Sequence, residues 1–296
     1  MITLKTKKIV VPYDFSKTAN SAVEHAAFIA AFTKGELFLT FVQKKNDLLN
    51  MLLPSLNIKK PSLLSELLSE KLSSEASKIS KKYGVKVTPV FSSGNITSEI
   101  INICSEVHAN LLVMGTQGSD SNNDLFLGSN TYRTLTKSEL PILTVRSMPA
   151  KKGYTHIVLP IDLSAHTRQK VNVAIKLAKT FTSHIYVLGL YNESEAAEKY
   201  KLEVYIKQIT KECEKNKINI TSTLSKTDNK VKKTIQYAKK QSADMIISMT
   251  DQEADFKEVL LSNYIHRLIN ESKIPVLCLK PELSEMEASG IPGVPF

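Results

Sequence analysis

Three stretches of this 296-residue chain are written twice. KKIVVPYDFS (7–16) returns as THIVLPIDLS (155–164), at an offset of 148 residues. ANLLVMGTQG (109–118) returns as ADMIISMTDQ (243–252), and ELPILTVR (139–146) as KIPVLCLK (273–280), both at an offset of 134. A sequence that repeats itself must fold as two copies of one unit. The change of offset means that the second copy is 14 residues shorter, and the place is visible. The first copy carries KKNDLLNMLLPSLNIKKPS after its second strand, whereas the second runs from YVLGLYNES almost directly into a helix.

Within each copy, short β-branched runs alternate with longer amphipathic stretches. In the first, strands are predicted near 7–12, 36–42, 85–91, 110–115 and 141–146, and helices near 17–33, 62–82, 95–108 and 129–138. Runs such as IVV, LLVM and ILTV are continuous, not alternating, which suits parallel strands covered on both faces. Successive β–α–β units imply a doubly wound sheet. The expected fold class is therefore α/β: two repeated doubly wound domains, each a five-stranded parallel sheet with helices on both faces. The expected boundaries are 1–148 and 153–281, with 282–296 as a tail that lacks periodicity and is expected to be poorly ordered. Ser16 and Ser129 are the expected helix caps. The insert at 44–62 is expected to pack against the sheet, with a lid or partner site as the alternative.

Composition removes several classes of function. No apolar run approaches the ~18–20 residues of a membrane span, and the N-terminus lacks the apolar core of a signal peptide, so a cytoplasmic protein with no membrane partner is expected. Cys104, Cys213 and Cys278 are widely spaced and odd in number, which suggests neither a disulfide framework nor a metal cluster. The net charge of +10 divides as +5 up to Met148 and +5 beyond it, so neither half is a basic arm. Only four arginines are present, although arginine is the favoured residue for reading bases. A nucleic-acid partner is not expected.

The stretch MGTQGSDSNNDLFLGSN (114–130) holds three of the ten glycines, Gly115, Gly118 and Gly128. In doubly wound sheets ligands sit beyond the carboxyl ends of the strands. Glycine there permits positive φ and removes the Cβ that would keep a ligand off the main chain. Gly128-Ser129 then opens a helix, whose free N–H groups and dipole favour an anion. Pro12-Tyr13-Asp14 ends another strand. An acid for a hydroxylated or amine-bearing ring, with a glycine loop and helix N-terminus for phosphates, describes a nucleotide site. A turn for the glycines and a helix cap for Asp14 are the structural alternative. The pattern is neither a P-loop nor a dinucleotide G-x-G-x-x-G.

On these residues the chain resembles a tandem universal stress protein over residues 5–281. The ATP-binding branch of that family carries G-x2-G-x9-G-(S/T), matched in full by Gly115, Gly118, Gly128 and Ser129. The resemblance implies that Asp14 and the main chain near Val42 hold the adenosine, with Pro12 and Met114 lining the base pocket. It places Gly115 and Gly118 near the ribose and phosphates, and Ser129 and Asn130 at the outer phosphates. It implies ATP with Mg²⁺ or Mn²⁺ as cofactor. It also implies an internal pseudo-dimer through the last strands, with a homodimer of chains as a further expectation. One departure is that the loop after Gly118 carries Asp120 and Asp124 and no cation, so ATP binding is expected to be weak or metal-dependent.

The second copy has exchanged the motif: at the 134 offset Gly115, Gly118, Gly128 and Ser129 become Met249, Gln252, Ser262 and Asn263. It is expected not to bind ATP in this manner, leaving Asp162 to cap the following helix with Ser164. No catalytic constellation is recognisable: no histidine pairs locally with a cysteine or acid, and the zinc and G-x-S-x-G signatures are absent. Slow ATP hydrolysis or self-phosphorylation at Ser119, Ser121 or Ser129 is the most that is expected. Two functions follow, an ATP-binding stress-response or signalling protein with one competent site and an unknown protein partner, or a nucleotide-independent interaction module with a relic glycine loop.

Overall fold

The computed structural model describes residues 8–44, 61–116, 127–146, 153–163, 166–167, 169–192, 196–250 and 263–281. The first repeat contributes β1 (Lys8–Pro12), α1 (Lys17–Thr33), β2 (Glu36–Lys44), α2 (Pro61–Tyr83), β3 (Lys86–Gly94), α3 (Ile96–Glu106), β4 (Leu111–Gly115), α4 (Ser129–Lys137) and β5 (Ile142–Val145). The second contributes β6 (His156–Ile161), α5 (Gln169–Phe181), β7 (His184–Tyr191), α6 (Ala196–Lys215), β8 (Ile220–Lys226), α7 (Lys230–Lys240), β9 (Met245–Met249), α8 (Asn263–Glu271) and β10 (Val276–Leu279). The expected elements of the first repeat are all found, their ends shifted by three residues at most, at the end of β3. Most of the 44–62 insert and the 282–296 tail lie outside the described residues.

The strands form one sheet in the order β3-β2-β1-β4-β5-β10-β9-β6-β7-β8. Pairing is parallel within each repeat and antiparallel only at the junction, where β5 meets β10. The two five-stranded sheets thus join through their last strands, as an internal pseudo-dimer. The continuous apolar runs are explained by burial on both sides. Ile9 and Val11 belong to a core with α1, α2, α5 and α6, whereas Val10 belongs to a second core with α3, α4, α7 and α8. Alternate side chains of a strand point to opposite faces, so a strand covered twice has no polar side.

Local signals set the helix starts. The Ser16 hydroxyl caps α1, accepting from the Ala19 N–H at 3.1 Å, and Asn95 caps α3, accepting from the Ser98 N–H at 3.2 Å. The second expected serine cap is corrected. Gly128 is the N-cap of α4 and Ser129 its first helical residue, with no side-chain cap bond.

The junction between repeats is sealed on the α1–α5 side by an aromatic cluster. Tyr154 follows β5 and packs on Phe28 and Phe181, with ring centroids 5.8 and 5.3 Å away, and its hydroxyl lies 2.6 Å from His25 Nδ1. His25 is therefore a core residue. On the other side Arg146 Nη1 donates to the Asn270 carbonyl at 2.7 Å, tying the first repeat's end to α8.

Candidate functional site

Strand order reverses between β1 and β4, because β1 leads to β2 on one side while β4 lies on the other. Their carboxyl ends therefore open side by side onto a crevice. β1 covers β2 only from Glu36 to Thr40, and the Tyr13 N–H donates to the Thr40 carbonyl at 2.8 Å. Main-chain groups two residues apart on a strand point the same way, so those of Val42 point past the end of β1 into the crevice. Val42 and Met114 both pack on the α3–α4 side of the sheet. Alternation with Val11 puts Pro12 on that side as well.

Asp14 begins the turn between β1 and α1, and its Oδ1 accepts the Ser16 N–H at 3.0 Å. One carboxylate oxygen is thereby engaged in the turn that leads to the capping serine. Phe15 adopts φ 63°, a left-handed conformation uncommon for a bulky residue. Its ring is held by Tyr13 and Phe41, at centroid distances of 5.0 and 5.6 Å, and by Lys71 Nζ at 4.4 Å. Such strain persists where the surroundings over-determine it and is often found at binding loops.

The glycine loop is anchored at both ends. The Thr116 N–H donates to the Val145 carbonyl at 2.9 Å, and the Gly128 N–H donates to the Thr116 carbonyl at 2.8 Å. Thr131 Oγ1, in the first turn of α4, donates to the Gly115 carbonyl at 2.9 Å. Together these bonds aim the N-terminus of α4, with Ser129 and Asn130, at the strand ends. Gly118, Ser119, Asp120, Ser121 and Asp124 lie outside the described residues.

Two expectations about the glycines change. Neither Gly115 nor Gly128 has positive φ; Gly128 has φ −59°. A Cβ on Gly115 would stand 3.0 Å from the main-chain carbon of Thr18 and 3.1 Å from its Oγ1. The close approach at Gly115 is thus made by α1, not left open for a ligand. Sequence reasoning also passed over Thr116. Its hydroxyl oxygen is buried at the root of the loop with no hydrogen-bond partner among the described residues. Its counterpart Thr250 bonds the Leu279 carbonyl at 3.3 Å. Threonine after the first glycine was visible in the sequence, but its burial was not.

The second repeat fills the corresponding crevice with side chains. Asp162 forms an ion pair with Lys230 Nζ at 3.4 Å, and its N–H donates to Thr167 Oγ1 at 3.4 Å. Ser164, its expected partner in capping, lies outside the described residues. Lys170, Lys230, Ser248, Met249 and Tyr264 close around Asp162, leaving a void of about 20 Å³. That is room for one water, not for a purine. Lys170, Lys230, Met249 and Tyr264 stand where the first repeat has Ala22, Ile96, Gly115 and Asn130.

Among the described residues no group of three histidines, cysteines or acids could hold a metal ion. No helix of the described residues is long and apolar enough to cross a membrane. Burial pushes the thiol pKa of Cys104 and Cys278 up to about 12 and that of Cys213 to about 11, so none is poised as a nucleophile.

Fold and crevice together define a tandem, doubly wound α/β protein whose two strand-end sites have diverged. Residues 5–146 and again 153–280 match the universal stress protein family, and the chain belongs to that family. Universal stress protein MJ0577 of Methanocaldococcus jannaschii is 29% identical over 153 residues, covering 47% of this chain and 94% of the relative. Universal stress protein MJ0531 of the same organism is 31% identical over 143 residues, covering 47% and 82%. Each spans about one repeat. The fold is shared at full length by a universal stress protein from Archaeoglobus fulgidus, with a TM-score of 0.73, 18% identity, and coverage of 93% of this chain and 98% of that one.

Proposed function

We propose that the protein is an ATP-binding stress-response protein with one competent nucleotide site, in its first repeat. The observation that supports this most directly is the contrast between the two crevices. The first presents Asp14, the overhanging main chain of Val42, and the uncapped N-terminus of α4. In the second, Lys230, Met249 and Tyr264 close around the equivalent acid, Asp162.

In this reading Pro12 and Met114 flank the base and Asp14 accepts from the adenosine. Gly118 lets the chain pass close to the ribose and phosphates, while Gly115 admits α1 against the strand end. Ser129, Asn130 and the first N–H groups of α4 receive the outer phosphates, where the helix dipole favours negative charge. The unpartnered Thr116 hydroxyl fits a polar ligand at the root of that loop. Mg²⁺ or Mn²⁺ would arrive on the phosphates and offset the negative charge of Asp120 and Asp124. Binding by the first repeat would change the surface offered to a protein partner.

The test is calorimetric titration of ATP with Mg²⁺ into protein stripped of nucleotide. The expected stoichiometry is one per chain, abolished by Gly118→Gln, which installs the residue of the second repeat. Two equivalent sites would overturn the asymmetry. No heat of binding, with no nucleotide released on denaturation, would favour the nucleotide-independent interaction module.

A further inference from the structure

Beside α5 and the end of α6, next to the ends of β9 and β10, lies a groove of about 460 Å³, within the range of sites that take a ligand or a peptide side chain cluster. Asn172, Lys176 and Lys179 of α5 form one wall and Asn216 the other, over an apolar floor that includes Met249 and Leu279. Lys179 Nζ donates to Asn216 Oδ1 at 2.7 Å across it.

The corresponding surface of the first repeat is covered. By the repeat offsets, Val173 and Lys176 stand where the first repeat has His25 and Phe28. Those two residues hold Tyr154, through the 2.6 Å contact to His25 and the ring contact to Phe28. Tyr154 belongs to the segment that leaves β5. The segment that leaves β10 begins at Lys280, itself in the groove wall, and continues as 282–296, which lies outside the described residues.

Charge distinguishes the two grooves. Lys176, Lys179 and Lys280 line the second, Lys280 already paired with Glu139, and Glu212 is the one acid among the lining residues. The segment ELSEMEASGIPGVPF carries Glu282, Glu285 and Glu287, no lysine or arginine, and Leu283 and Met286 between the acids. Its chemistry is complementary to a lysine-walled groove with an apolar floor.

We propose that the groove is a docking site for the chain's own segment 282–296. The glutamates pair with Lys176 and Lys179, and an apolar neighbour seats on the Met249–Leu279 floor. The second repeat would then offer a surface governed by its own acidic segment, for which an acidic peptide of a partner would compete. The proposal is independent of nucleotide binding in the first repeat.

The test is amide hydrogen exchange followed by mass spectrometry on the full chain at low salt. Amides of 283–288 are expected to exchange at least about tenfold more slowly than an unstructured peptide of that sequence. Lys176→Glu with Lys179→Glu is expected to remove that protection, and adding Glu285→Lys with Glu287→Lys to restore it. Unchanged exchange in β6, β9 and β10 verifies that these variants remain folded. Exchange at the unstructured rate in the unsubstituted protein overturns the proposal. So does protection that the lysine reversals leave intact, or protection lost on dilution, which would assign the groove to a second copy's segment.

Discussion

Leu143 and Leu277 stand opposite one another in the antiparallel pair of β5 and β10, and they are the same position of the repeat, 134 residues apart. The pseudo-two-fold axis relating the repeats therefore passes between them. Ile29 with Leu177 and Leu111 with Met245, also equivalent pairs, line the same small void at the axis. On the opposite side of the sheet the equivalent residues Tyr132 and His266 meet edge to face, 5.7 Å between centroids. This is the isologous geometry of a symmetric dimer within one chain. The equivalent pairs that line the void are apolar in both repeats, whereas the residues lining the two crevices differ.

The axis is reinforced asymmetrically by Tyr154, whose hydroxyl is 2.6 Å from buried His25 Nδ1. Burial pushes the phenol pKa far above its ordinary value, so it stays protonated and available to the imidazole. Tyr154→Phe keeps the ring packing and leaves the ring nitrogen without this partner. The expected loss is about 1–3 kcal/mol, read as a lower urea midpoint with an unchanged slope. An unchanged midpoint would mean that His25 re-pairs elsewhere at no penalty.

Gly115 separates packing from ligand contact. Its added Cβ would meet Thr18 main chain at 3.0 Å, and backbone on both sides cannot give way as a side-chain tip can. Gly115→Ala is expected to destabilise by about 1–3 kcal/mol, measured by thermal melting without nucleotide. Full stability in the nucleotide-free protein, with weakened ATP binding, would return the glycine to a ligand role.

The central strands were legible because they are buried on both faces and therefore written as unbroken apolar runs, whereas the edge strands β3 and β8 are partly exposed and mixed in polarity. The pseudo-dimer was legible only through family resemblance, since nothing in ELPILTVR says that it pairs with KIPVLCLK. The crevice residues were placed by the repeat and the glycine spacing, but their contacts were not. Lys230 meets Asp162 from a helix 68 residues away, and His156 lies 3.7 Å from Asp244 across 88 residues. Such pairs come from register between strands and helices distant in sequence, and no local motif announces them.

Register also sets a pH response. His156 and His184 are neighbours across the parallel pair β6–β7, and the His184 ring stacks on Tyr186 while Nε2 lies 2.8 Å from Thr221 Oγ1. Desolvation first, and nearby His156 second, hold the His184 pKa below its ordinary 6.5. A histidine whose pKa is lower when folded binds its proton more readily when unfolded. Stability is therefore expected to fall as pH drops through about 6.5 and to stop falling once the folded protein is protonated as well. His184→Gln should flatten the fall in melting temperature between about pH 7.5 and 5. An identical slope in the variant would assign the acid response to other groups.

Asp14 and Asp162 occupy the same position in the two repeats, and one substitution made in each distinguishes a binding acid from a structural one. Asn retains the carbonyl oxygen that accepts the Ser16 N–H at 3.0 Å, so Asp14→Asn preserves the turn and the cap of α1 while removing the charge. A charged acceptor is worth roughly 1.5–3 kcal/mol against a neutral one's 0.5–1.5. ATP affinity should therefore fall by about tenfold or more, with little change in melting temperature. Asp162→Asn loses its pairing with Lys230, a partly exposed contact worth about 1 kcal/mol at most, and should leave ATP affinity unchanged. Equal loss of affinity in both variants would place nucleotide in both repeats. A large drop in melting temperature for Asp14→Asn with affinity intact would make that acid a cap and nothing more.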